Sequence, residues 1–157
     1  MPKKGAPCKG TTLANCLCRR KINRTIGTRR AGVTDEQKSG RILVMDDEAF
    51  VREMVVEMLQ FLGYQARGCI DGEEAVDLYK AAKVEGNPFS SVIMDLTVTG
   101  GMGGKEAAQH ILSFDPAARL IVSSGHSFDP ALADYEGHGF SAVVLKPYRV
   151  DELAKVL

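Results

Sequence analysis

Four charged side chains stand where a sheet could gather them. Asp46 and Asp47 follow the apolar run Ile42-Leu43-Val44-Met45, Asp95 follows Ser91-Val92-Ile93-Met94, and Lys146 follows Ala142-Val143-Val144-Leu145. Ser123 and Ser124 follow a further run, Arg119-Leu120-Ile121-Val122. Three carboxylates brought to one place raise one another's pKa unless a positive charge sits among them. A hard divalent cation with oxygen ligands meets that need. Mg2+ binds through one or two carboxylates, water and a phosphate oxygen, and matches this sparse set better than a many-oxygen calcium cage. The EF-hand spacing is absent. Lys146 offers a flexible point charge suited to a phosphoryl oxygen, and the Ser123 hydroxyl could donate to the same group.

Each piece alone has an ordinary meaning. Two acids before a helix commonly cap it or answer its dipole, Asp95 alone reads as a loop acid, Lys146-Pro147 as a strand exit and Ser123-Ser124-Gly125 as a turn. It is their joint occurrence at strand ends that points to a site. The glycine-rich stretch Gly100 to Lys105 does not make a phosphate loop. A Walker motif ending at Lys105 needs glycine at 99, where Thr99 stands, and Ser or Thr at 106, where Glu106 stands. His110, His126 and His138 are scattered and read as surface residues, with His126 beside the proposed site.

The elements that would position these residues follow from periodicity. Phe50, Val51, Met54, Val55, Met58, Leu59 and Leu62 recur at helical spacing until Gly63. Gln65 to Cys69 is a weak strand. Asp71-Gly72 opens a second helix with Ala75, Val76, Tyr79 and Ala82 on one face. The glycine loop leads to a third helix with Ala107, Ala108, Ile111 and Leu112 inward. A short fourth helix is expected around Ala131–Tyr135, and a last one, only about two turns long, from Asp151 to the final residue, Leu157. Five strands thus alternate with five helices. The strands are mostly continuous apolar runs, which predicts a parallel sheet buried on both faces. Right-handed crossovers make it an α/β doubly wound sheet of five strands. In the flavodoxin-like order 2-1-3-4-5, strands one and three flank the switch point, where ligands bind beyond the carboxyl ends. The acids would meet there.

Composition bounds the remainder. A chain of 157 residues with 45% hydrophobic and 25% charged residues is that of a globular domain with an appendage. Its apolar runs are far too short to cross a bilayer. The net charge of zero hides a division. Residues 1–40 carry ten basic and two acidic residues, whereas 41–157 carry 10 basic and 18 acidic. Residues 1–40 are therefore expected to be a disordered basic tail and 41–157 the folded domain. The tail lacks the apolar stretch of a secretory signal. Cys8, Cys16 and Cys18 lack the spacing and the fourth ligand of a zinc knuckle, and Cys69 reads as a small buried hydrophobe. No disulfide framework is seen, in keeping with a reducing cytoplasm. No aromatic residue is interleaved with the basic cluster to stack on bases, so nucleic-acid binding is not expected.

Val44-Met45-Asp46-Asp47-Glu48, Ile93-Met94-Asp95-Leu96-Thr97, Val122-Ser123-Ser124-Gly125 and Leu145-Lys146-Pro147-Tyr148, in that order at four strand ends, resemble the receiver domains of two-component response regulators. The likeness spans 41–157. The stretch from Asp95 to Glu106 is most similar to receivers of hybrid sensor histidine kinases. The resemblance implies that Asp95 is the phosphoacceptor and that Asp47 binds Mg2+ directly. Asp46 would bind mainly through a metal-bound water, and the Thr97 backbone carbonyl would complete the ligands. It further implies that Lys146 pairs with the phosphoryl group and that Ser123 swings toward it. The signal would then pass to the face built by the fourth helix, the fifth strand and the fifth helix, also the surface for a possible homodimer. Implied partners are a sensor histidine kinase or a histidine phosphotransfer protein, with no membrane, and the domain would catalyse only its own phosphorylation and dephosphorylation.

Three features depart from the family pattern. Thr99 stands where many members have Pro, with one extra residue in the glycine loop, Val143 occupies the usual place of the switch aromatic, and the last helix is short. They leave a phosphorylation-independent binding module on the same fold as a second reading. A hydrolase of the aspartyl-phosphate kind would need a second acid where Thr97 lies.

Overall fold

The computed structural model describes residues 40–125 and 133–157. The basic segment with its three cysteines lies outside the described residues. So do His126 and the first part of the short helix expected at Ala131–Tyr135.

Five parallel strands form one sheet: β1 (Arg41–Met45), β2 (Gln65–Cys69), β3 (Ser91–Asp95), β4 (Leu120–Ser124) and β5 (Ala142–Leu145), in the order β2-β1-β3-β4-β5. Among the described residues, the helices between and after them are α1 (Ala49–Phe61), α2 (Gly72–Val84), α3 (Gly104–Phe114) and α4 (Val150–Val156). The expected α/β doubly wound architecture and strand order are those observed. Strand four begins one residue later than expected and runs through Ser123 and Ser124, so both serines are ladder residues rather than part of a turn.

Side-chain alternation along each strand sends neighbours to opposite faces. Ile42, Val44, Ile93, Ile121 and Val144 enter one buried cluster with Val55 and Leu59 of α1 and Leu153 of α4. Leu43, Met45, Val92, Met94, Leu120 and Val122 enter the other with Ala75, Val76 and Tyr79 of α2 and Ala107, Ala108 and Ile111 of α3. Both alternating sets are apolar because both faces are covered. Each fully buried Leu or Ile contributes roughly 1.5–3 kcal/mol by leaving water. The expectation of continuous burial holds for β1, β3 and β4 but not for the edges. Gln65 and Arg67 of β2 and Leu145 of β5 are exposed, since an edge strand has a neighbour on one side only.

Local chemistry fixes the helix ends that flank the site. Helix α1 stops at Gly63, whose φ of 91° suits a residue without Cβ; its N–H donates to Gln60 O and that of Tyr64 to Leu59 O. The Asp71 carboxylate accepts the Glu74 N–H at 2.9 Å, and Glu74 accepts the Ile70 N–H at 3.0 Å, a reciprocal lock on the start of α2. Helix α1, by contrast, begins at Glu48 with no side-chain cap. The Asp46 and Asp47 carboxylates are therefore not spent on capping it.

Candidate functional site

Strand register brings the acids together. Met45 is paired with Met94, so the next residues along, Asp46 and Asp95, leave β1 and β3 side by side. Asp95 is in turn the register partner of Ser123. Ser124 faces Leu145, and the Lys146 N–H donates to Ser124 O at 3.0 Å, which sets the lysine at the carboxyl end of β5. Four of the five strands thus deliver polar groups to the same rim, β1 two of them, at the point where strand order reverses.

Oxygens of Asp46, Asp47 and Asp95 all lie within 4.8 Å of one another. Asp46 and Asp95 are buried and Asp47 is exposed at the lip. Lys146 Nζ reaches across to both buried acids, pairing with Asp95 Oδ2 and lying 2.8 Å from Asp46 Oδ2. Burial by itself would lower the Lys146 pKa. The contacts with Asp46 and then Asp95 outweigh it, and the ammonium is held above its ordinary range. Asp47 is held below the usual carboxylate range, chiefly by the Thr99 N–H that donates to its Oδ2 at 3.0 Å. The remaining backbone donors also converge. Glu48 N–H donates to Asp46 Oδ1 at 3.0 Å, and Thr97 N–H donates to Asp95 Oδ1 at 3.1 Å.

This donor set fits a hard cation. Asp46 Oδ2 is fully buried with no hydrogen bond aligned on it, only the lysine charge nearby. One ammonium against three clustered carboxylates leaves net negative charge at the rim, which a further cation would offset. Oxygen donors at this spacing, open to solvent on the Asp47 side, suit an ion that keeps several waters.

Two residues at the site were not singled out from the sequence. Arg52, on the first turns of α1, donates to Asp46 O at 2.7 Å and lies 3.5 Å from Asp47 O, so it fixes the backbone of the acidic pair. Its signal was an arginine five positions after Asp47, indistinguishable by type from a solvated helix residue. Tyr148, two residues past Lys146, is buried, and its hydroxyl lies 2.5 Å from Ser123 Oγ. Burial pushes its phenol up to about 12, so it is neutral near pH 7. Of the other histidines, His110 is exposed on α3 and His138 is half-buried.

A profile of the response regulator receiver domain matches residues 42–157. The chemotaxis protein CheY of Thermotoga maritima is 30% identical over 118 residues, covering 74% of this chain and 93% of that protein. Among solved structures, the receiver domain of a sensor histidine kinase from Pseudomonas aeruginosa, with magnesium coordinated in its active site cleft, superposes with a TM-score of 0.66. It is 19% identical over 75% of this chain and 93% of that one. A CheX–CheY complex of Borrelia burgdorferi containing BeF3 and Mg2+ gives 0.67 at 24% identity, over 74% and 85%. These two share the fold, and with the profile match and the Thermotoga relative, the chain belongs to the response regulator receiver domains of two-component systems.

Proposed function

We propose that this receiver domain takes a phosphoryl group onto Asp95 in a Mg2+-dependent reaction and so switches the face it offers to a partner. The observation that carries this reading is the convergence of Asp46, Asp47 and Asp95 around Lys146 at the switch point. The donor would be phosphohistidine of a sensor histidine kinase or a histidine phosphotransfer protein. An Asp95 carboxylate oxygen forms the new O–P bond as the N–P bond of the donor breaks. The electron pair leaves on the imidazole nitrogen, which then takes a proton from water.

Asp46, Asp47, Asp95 and the Thr97 backbone carbonyl would hold Mg2+, which supplies positive charge against the phosphoryl oxygens. The magnesium in the Pseudomonas receiver domain and the BeF3 and Mg2+ in the Borrelia complex support the same ligand class here. Lys146 would carry a phosphoryl oxygen in place of the Asp95 oxygen it now pairs with, and Ser123 would donate its hydroxyl to the same group. Thr97 supplies no second acid, so the chemistry is a single transfer with slow self-hydrolysis rather than turnover. A domain boundary near residue 40 is part of this reading, and the profile match beginning at 42 supports it. A kinase-supplied phosphoryl group would imply a cytoplasmic protein.

Incubation with Mg2+ and acetyl phosphate should yield one hydroxylamine-labile phosphate, absent when Mg2+ is chelated. A phosphate label that survives in Asp95→Asn would overturn the reading. The second reading, constitutive binding through the same fold, draws on exposed Leu145 and a groove of about 280 Å³ between β5 and α4, lined by Val143, Leu145, Glu152 and Val156. Equal partner affinity with and without BeF3 would favour it. The same face is where a homodimer would form.

A further inference from the structure

Ser123 is fully buried, and its hydroxyl is engaged by a residue that came with the strand-exit motif rather than with the strands. The face on which this occurs follows from alternation. Ile121 belongs to the cluster under α1 and α4 and Val122 to the opposite one, so Ser123 returns to the α1 and α4 face. Val143 packs against the opposite cluster, whereas Tyr148 is buried with Ile121, Val144 and Leu153. Tyr148 is therefore on the face that carries the Ser123 hydroxyl.

We propose that Tyr148 is a positioning residue that holds the Ser123 hydroxyl in the unphosphorylated state and must release it for the phosphorylated one. The proposal rests on the phosphoacceptor reading above. When Ser123 turns to a phosphoryl oxygen on Asp95, its register neighbour, the phenol of Tyr148 loses its partner inside a core that offers little water. An unpaired buried hydroxyl is unfavourable, so the Tyr148 contact opposes the phosphorylated state. Tyr148 shares its cluster with Leu153, so the group that yields to Ser123 is seated against the same core as α4. The hydrogen bond thereby links the chemistry at Asp95 to the packing of the terminal helix.

The test is a cycle of variants read by BeF3 affinity in the presence of Mg2+, with thermal melts to verify folding. Tyr148→Phe keeps the ring and removes the hydroxyl. It should tighten BeF3 binding by about five-fold, the order expected for one net hydrogen bond. In Ser123→Ala the same substitution should have no effect, and in Ser123→Thr, which restores a hydroxyl, the sensitivity should return. A merely structural role for the tyrosine would move affinity equally in all three backgrounds. Unchanged or weaker binding in Tyr148→Phe, or tightening that persists in Ser123→Ala, overturns the proposal. Wild-type protein that fails to bind BeF3 with Mg2+ overturns the phosphoacceptor reading and this proposal with it, whereas wild-type binding with a silent Tyr148→Phe overturns this proposal alone.

Discussion

Lys146 shows how a single residue can serve two states of one site. Without a phosphoryl group it pairs with two carboxylates that would otherwise face each other across the end of β1 and β3. With one, on the reading proposed above, its charge would be available to the transferred oxygen. Replacing it by methionine keeps the length and removes the charge. Lys146→Met should therefore slow phosphorylation from acetyl phosphate roughly 100-fold, as expected when one preorganised positive group is lost from a charge-developing site, measured as the initial rate of incorporation. Wild-type rates in that variant would show that the lysine is only structural. Asp46, Asp47, Asp95 and Lys146 were legible in the sequence because each follows an apolar run that had to be a buried strand. Tyr148 lies within the Leu145-Lys146-Pro147-Tyr148 motif, yet its bond to Ser123 was not legible, because the face on which a side chain lands after a strand exit depends on the turn and not on strand periodicity.

At the scale of elements, the site depends on how tightly α3 is pressed against the end of β3. A methyl group added at Gly104 would overlap the Asp95 carbonyl oxygen and lie 3.0 Å from its carbonyl carbon. Gly104→Ala should destabilise the fold by about 1–3 kcal/mol through overpacking and displace Asp95. Urea unfolding together with the phosphorylation rate would register both effects, and an unaltered rate would detach Asp95 from this contact. A second joint lies at the far end of α3. Asp115 accepts the Tyr79 hydroxyl at 2.7 Å and pairs with Lys83, tying α2 to the turn before β4. Lys83 first, then Tyr79, hold the Asp115 carboxyl below its ordinary range. A depressed folded-state pKa adds stability that is present above the unfolded value, near 3.9, and is lost as pH falls through the folded value. The stability difference between wild type and Asp115→Asn should accordingly be constant above about pH 5 and shrink in more acid solution. A difference that grows on acidification would contradict this. Helices α1 to α4 and the inner strands were readable from periodicity, whereas the exposed faces of β2 and β5 were not, since edge position is a property of strand order rather than of any strand's own residues.

For the whole molecule, the receiver fold is a device for turning sequence distance into proximity. Asp46 and Lys146 are 100 positions apart and meet only because all five strands run parallel and end on one rim. A cation held there stabilises the native chain alone, because the unfolded chain has no such cluster. Mg2+ at 100 times its dissociation constant should add about 2.7 kcal/mol to the unfolding free energy. The gain should vanish with chelator and be much reduced in Asp47→Asn, as read by thermal denaturation. Equal melting temperatures with Mg2+ and with chelator in wild type would place the cation elsewhere or nowhere.

The most direct measurement is the location of the transferred group. After treatment with a small acyl phosphate donor and Mg2+, the intact chain should gain one phosphoryl mass, borohydride trapping and peptide mapping should assign it to Asp95, and Asp95→Asn should gain none. A phosphoryl group mapped to any other residue of the wild-type chain would contradict the assignment of this rim as the phosphoacceptor site.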